Sequence, residues 1–398
     1  VTDQKPIWDR GEAIDARMLR FTIGDDWQQD RRLVEHDLAG SLAWAAGLER
    51  AGLLSRDDHA ALEGALLRLL EDFRTGRWTV ESGDEDVHSA VERRLIELEP
   101  EAGKRLHTGR SRNEQVTVDV LLWLRAACRE TSAALGATAA ALDALAERSG
   151  TLPLPGYTHL RRAMPSTVGV WARAHARAFE EDRAELEHAA RRTRECPLGS
   201  GAGYGVPLAI DRAFVAEQLG FERPVEPVTL VQHARGRAEL AYVTALEQIA
   251  LDLGKLVADL WLFSTHEFGF VRLPTAFTTG SSLMPQKRNP DVLELLRAHA
   301  RGVVSDRAAL LDVLRDLPSG YHRDFQLIKP PLFRAHDRAS DALALVPSLV
   351  AALELDADAL QQAVADPALR ATERALERVR AGVPFRDAYR EESRASSR

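Results

Sequence analysis

Residues 280–290 read Gly-Ser-Ser-Leu-Met-Pro-Gln-Lys-Arg-Asn-Pro. Three small residues open the run, so its backbone can move and approach a ligand closely. Pro285 and Pro290 keep it out of a helix. Within that frame stand two hydroxyls (Ser281 and Ser282), one ammonium (Lys287) and one amide (Asn289). A mobile, donor-rich segment suits an anionic substrate and a lid that closes over it; the plainer alternative is an ordinary polar loop. Composition favours the first reading. The chain has five lysines against 47 arginines, and an ammonium kept against that bias implies a place that a guanidinium fork does not suit. Lys287 and Lys329 both fall in non-helical polar segments of the C-terminal half.

Four other polar segments interrupt or start helical stretches. Gly83-Asp-Glu-Asp-Val-His88 is one, and Tyr321-His-Arg-Asp-Phe-Gln-Leu-Ile-Lys329 is another. Thr108-Gly-Arg-Ser-Arg-Asn-Glu-Gln115 directly precedes a long helical pattern, where free backbone N–H groups and the helix dipole favour an anion. Ser111, Arg112 and Asn113 add donors for a carboxylate, although the segment also reads as a simple helix cap. In Gly156-Tyr-Thr-His-Leu160, His159 sits in a short turn rather than on a helix face, which makes it the best histidine for acid–base work. A lone histidine of this kind is also a common surface or core residue. No CxxC or HExxH pattern and no phosphate loop occurs, and the glycines of Gly199-Ser-Gly-Ala-Gly-Tyr-Gly205 follow no strand. Neither metal, nucleotide nor other cofactor is expected.

These segments need a scaffold, and the prolines outline it. None occurs between Pro100 and Pro153, Pro165 and Pro197, Pro227 and Pro274, or Pro290 and Pro318. Each gap carries a helical pattern, as in Val120, Leu124, Cys128, Thr131, Leu135, Thr138, Leu142 and Leu145. The pattern from Glu239 to Ser264 is apolar around most of its circumference, which predicts burial on nearly all sides and a bundle shared between subunits. Alternating β-branched runs are scarce and short, such as Trp78-Thr-Val. The expected fold is all-α, in three parts: an N-terminal helical domain over 1–107, a central long-helix bundle over 108–350, and a short, truncated C-terminal helical part over 351–398.

Composition bounds the function classes. A net charge of −8 with interspersed signs argues against nucleic acid or a membrane surface as the main partner. Cys128 and Cys196 are too few for a disulfide framework, which fits a reducing cytoplasm. No apolar run reaches the roughly 18 residues of a membrane span, and Val1-Thr-Asp-Gln-Lys-Pro lacks a signal peptide's apolar core.

Taken together, the segments resemble the fumarase/aspartase superfamily and, within it, the argininosuccinate lyases. The resemblance rests on Asp84-Glu-Asp-Val-His88, Thr108-Gly-Arg-Ser-Arg-Asn113, Gly156-Tyr-Thr-His159, Pro197-Leu-Gly-Ser-Gly-Ala202, the Gly280 loop and Gly382-Val-Pro-Phe-Arg386. It implies a homotetramer whose active sites are each drawn from three subunits. It also implies a β-elimination that breaks a C–N bond in an N-substituted aspartate and releases fumarate. Ser281 would remove the Cβ proton, His159 would serve the leaving nitrogen as acid, and Glu294 would orient His159. Thr158, Ser111, Asn113, Lys287 and Asn289 would hold the succinyl carboxylates, with His88, Arg112 and Ser282 beside them. Tyr321, Gln326 and Lys329 would hold the amine half, with Thr22 contributing.

The chain also departs from the family's pattern. Leu327 and Ile328 stand where two acids are usual, and Val228–Arg237 lacks the usual Asp-x-x-Ser-x-Arg-Asp. If either acid normally receives a cationic side chain, its loss predicts weak activity on argininosuccinate and better activity on another succinyl adduct; the alternative is an ordinary argininosuccinate lyase. A non-catalytic structural relative would need none of Ser281, His159, Lys287 and Asn289 together.

Overall fold

The structure, a computed structural model, describes residues 15–396. The four proline-free gaps hold the helices Arg112–Ser149, Val168–Ala190, Arg237–Phe263 and Asp291–Leu314. The all-α expectation is borne out. A fifth long helix, Lys329–Ala352, was hidden by its prolines: Pro330 and Pro331 occupy its first turn, where a missing N–H does no harm, and Pro347 lies inside it. No helix among the described residues is long and apolar enough to cross a membrane.

Two compact units interleave along the chain, a partition by compactness that differs from the linear three-part reading. The first comprises residues up to Glu130 with Glu185–Leu246 and Ser305–His336. In its core Trp44 and Leu48 of the Val34–Arg50 helix are buried. Trp123 meets Tyr242 and Phe333 edge-on, and the Tyr242 hydroxyl lies 2.7 Å from His336 Nδ1.

The second unit comprises Thr131–Ala184, Glu247–Val304 and the chain from Asp337 onward. Its core holds a run of rings, Trp171, Phe263, Phe268 and Phe270. It also contains two hairpins that sequence periodicity did not reveal. Pro153–Thr158 pairs antiparallel with Arg161–Thr167, and Thr279–Gly280 with Arg288–Asn289. Prolines 153, 155 and 165 mask the first as strand, because proline is confined to edge positions. Trp78-Thr-Val, the run that looked most like strand, forms none.

The Arg237–Phe263 helix is largely buried within one chain. One chain already buries Tyr242, Val243, Leu246, Ile249, Leu253, Leu256, Val257 and Leu260, so this helix alone does not require neighbouring subunits. Exposed apolar side chains on the long helices of the second unit are Val170, Leu251 on this same helix, Leu295 and Val304.

The first hairpin is braced at its base. Val168 N–H bonds the Leu152 carbonyl at 3.0 Å. A Cβ added at Gly169 would sit 2.7 Å from Gly150 Cα and 2.9 Å from its oxygen. The helix ends on either side of the hairpin therefore meet backbone to backbone. Gly169→Ala is expected to force them apart and destabilise the protein by about 1–3 kcal/mol, read as a lower midpoint in thermal unfolding.

Candidate active site

In the first unit, the Arg112–Ser149 helix opens on a capping box. Ser111 Oγ accepts from the Asn113 amide at 3.3 Å, and Glu114 Oε1 accepts from the Ser111 amide at 3.2 Å. Glu114 is fully buried, and its other oxygen accepts from the Gly201 amide at 2.8 Å and the Ser200 hydroxyl at 3.2 Å. Burial pushes its carboxyl up to about 7, against the hydrogen bonds from Ser111, Gly201 and Ser200 and the charge of Arg110.

Beside this helix start lies a cavity of about 190 Å³. It gathers His88, Arg112, Asn113, Tyr321, Gln326 and Lys329, six of the residues predicted from sequence. Several of them are held by the protein itself. Arg112 Nη1 donates to Asp86 Oδ2 at 3.1 Å and to Ser89 Oγ at 2.9 Å. Gln326 Nε2 donates to the carbonyls of Thr22 and Ile23, so Thr22 meets this segment through its backbone; its hydroxyl turns back to Met18 and Leu19. The Lys329 ammonium is buried, 2.7 Å from Asp26 and 2.5 Å from Asp30. Burial opposes its charge, but the two carboxylates outweigh that and raise its pKa.

The cavity also contains residues that sequence reasoning missed: Asp26, Asp30, Arg235 and Arg323. Arg323 pairs with Glu85 at 3.0 Å, and Arg235 with Glu239 at 2.7 Å. The only sequence signal for Asp26 and Asp30 would have been the demand that a buried ammonium be paired. Leu327 is exposed, Ile328 is buried, and neither lines the cavity.

His88 belongs to a second buried group. Its Nδ1 lies 2.8 Å from Asp37 Oδ1 and 3.7 Å from Asp119 Oδ2. The three residues bring potential ligand atoms within 4.8 Å of one another, a cluster that motif spacing could not reveal because they stand at 37, 88 and 119. Burial lowers the His88 pKa, but Asp37, Asp86 and Asp30 outweigh it and the net shift is upward. Burial and the neighbouring carboxylates push Asp119 well above the usual range. Asp86 behaves oppositely: burial would raise it, but His88, Arg112 and Ser89 bring it down to about 2.

In the second unit, Thr158 and Arg161 face each other across the first hairpin, leaving His159 and Leu160 at its tip. Both tip residues have positive φ, 53° and 55°, and both are exposed. This matches the backbone of a two-residue hairpin loop, which glycine or asparagine usually fills. The second hairpin closes the Gly280 loop by pairing Thr279 with Asn289 and Gly280 with Arg288. Ser281, half-buried at its start, accepts through Oγ from the amides of Leu283 at 3.3 Å and Met284 at 3.0 Å. Ser282 and Lys287 are exposed on the loop, and Glu294 is exposed on the first turn of the following helix. Among the described residues, no hydrogen bond or ion pair joins His159 to Glu294.

The helical scaffold is that of a lyase class. A lyase family model matches residues 11–305. The fold is that of EDDS lyase in complex with formate (TM-score 0.81, 21% identity, 96% of this chain and 76% of that one) and of class II fumarase from Schistosoma mansoni (0.77, 17%, 94% and 90%). Within that class the chain belongs to the argininosuccinate lyase family. It is 45% identical to the argininosuccinate lyase of Sorangium cellulosum over 388 residues, 96% of this chain and 89% of that protein. It is 44% identical to that of Stenotrophomonas maltophilia over 387 residues, again 96% and 89%. The chain is therefore a carbon–nitrogen lyase that releases fumarate, as the sequence resemblance implied.

The His88 pair makes a prediction with a definite sign. NMR should place the His88 titration above the ordinary value of about 6.5, and Asp37→Asn should move it down. Because the folded value is raised, the pair's stabilisation is fully present below the unfolded value and is lost as pH rises through the folded one. The gap in urea midpoint between wild type and Asp37→Asn should therefore narrow as pH rises.

Proposed function

We propose that the substrate is argininosuccinate, split to fumarate and arginine by a homotetramer whose sites combine segments of three subunits. The observation that carries this reading is the charged cavity at the start of the Arg112–Ser149 helix. Asp26, Asp30, Glu85 and Asp86 line it together with Arg112, Arg235, Arg323 and Lys329, a wall of both signs suited to a substrate that itself carries carboxylates and a cationic amine half. Neither Leu327 nor Ile328 lines this cavity within one chain, which supports the reading. On this reading 1–107, 108–350 and 351–398 are three functional parts, and the enzyme works in the cytoplasm on a small anionic substrate.

The chemistry follows from the residue types. Ser281 takes the Cβ proton, and the electron pair left behind forms an aci-carboxylate. Collapse of that dianion makes the fumarate double bond and expels the nitrogen, to which His159 gives a proton. A serine hydroxyl is a weak base. The amides of Leu283 and Met284 that point at its oxygen, together with Lys287, favour its ionised form once the loop closes. Lys287, Asn289, Thr158, Ser111 and Asn113 meet the carboxylates. On this reading Glu294 orients His159 from another copy, consistent with the two not pairing within the chain. The tetramer would also cover Val170, Leu251, Leu295 and Val304.

A second reading keeps the reaction but changes the amine. Arg323 neutralises Glu85 inside the cavity, which would favour a less cationic leaving group. Steady-state kinetics separate the two: kcat/KM on argininosuccinate of about 10⁴ M⁻¹s⁻¹ or above supports the first, and a far lower value with faster cleavage of another aspartate adduct supports the second.

Ser281→Ala should lower kcat by roughly 10²- to 10⁴-fold while the protein stays folded, with fumarate absorbance as the readout. Mixing it with Asn113→Ala, followed by dissociation and reassociation, should restore part of the activity. Near-normal turnover by Ser281→Ala would remove Ser281 as the base. A mixture that stays inactive, or a monomer by light scattering, would remove the shared site.

A further inference from the structure

We infer that Glu114 and Gln232 form a clamp, seated on the glycine turn 199–205, that positions the Ser111–Asn113 segment for its anionic ligand. In an ordinary capping box the glutamate satisfies one amide and otherwise faces water. Here Glu114 has no exposure, and its second oxygen is occupied by the Ser200 hydroxyl and the Gly201 amide. The turn beneath is closed on itself: Gly203 and Gly205 N–H both bond the Ser200 carbonyl, at 3.0 and 2.8 Å.

The other jaw starts from the same turn. Gly203 has φ +109°, and a Cβ there would lie 2.8 Å from Gln232 Cγ. Gln232 is buried against the turn, and its Nε2 donates to the Asn113 carbonyl at 3.2 Å. The three residues offered to the ligand are thus gripped at both ends. The Ser111 amide is bound to Glu114, and the Asn113 carbonyl accepts from Gln232 as well as from the Thr117 hydroxyl, so the backbone that carries the Ser111 and Asn113 side chains is fixed. Glu114 and Gln232 touch no ligand in this arrangement; they act through the segment they hold.

The effect on catalysis rests on the argininosuccinate reading, so the test carries a readout independent of it. Glu114→Gln sets an NH₂ group against a backbone donor, and Gln232→Met removes one donor at nearly constant volume. In both variants, deuterium uptake by the 108–117 backbone should rise. KM for argininosuccinate should increase roughly ten- to a hundredfold for Glu114→Gln and roughly two- to tenfold for Gln232→Met, with kcat changed far less. Unchanged uptake in a folded variant overturns the clamp, as does faster exchange with KM unmoved or a loss confined to kcat. If Glu114→Gln does not fold, Gln232→Met carries the comparison alone. If the wild type does not cleave argininosuccinate, the substrate reading fails while the uptake measurement still decides the clamp.

Discussion

The burial of one ammonium organises the first unit. Lys329 is almost wholly removed from water, a state that is costly unless opposite charge comes with it. Asp26 and Asp30 supply that charge, tying the short N-terminal helices to a segment some 300 residues later in the chain. The tie extends further. The second oxygen of Asp30 accepts from the Val87 amide at 3.1 Å, and the adjoining Asp86 holds Arg112. Removing one partner from such a network leaves an uncompensated buried charge, so cavity, helix start and N-terminal segment stand or fall together.

This rigidity contrasts with the second unit, where the proposed chemical groups occupy hairpin tips and an exposed loop. Lys287, Ser282 and His159 project toward solvent, and the Gly280 loop is pinned by a short ladder of backbone pairs. Proposed anchoring residues embedded in a charge network and proposed reacting residues on exposed tips are a division suited to an enzyme that closes before it reacts.

Much of this was legible in the sequence, for reasons that differ by element. Proline-free gaps marked four long helices because proline breaks the helical ladder. The same rule hid the Lys329–Ala352 helix, whose prolines lie mostly where a helix tolerates them, and it hid the Pro153–Thr158 hairpin. Local motifs singled out His88, Arg112, Asn113, Tyr321, Gln326 and Lys329, and folding gathers them at one cavity. The acids that hold Lys329 and the Asp37–His88–Asp119 group were invisible, because their proximity arises only from packing of distant segments. Glu114 looked like an ordinary capping residue; only its burial against Ser200 and Gly201 sets it apart.

The tip of the first hairpin has a consequence for how this protein can change. His159 and Leu160 both adopt left-handed backbone conformations, which disfavour most residues with a side chain, leucine more than histidine. Glycine at either position would relieve that strain, so random drift has a thermodynamic slope leading away from histidine. On the proposed acid role, a lineage released from selection for turnover should lose the imidazole early and gain stability as it does so. An intact histidine on such a turn thus fits the acid role proposed for His159.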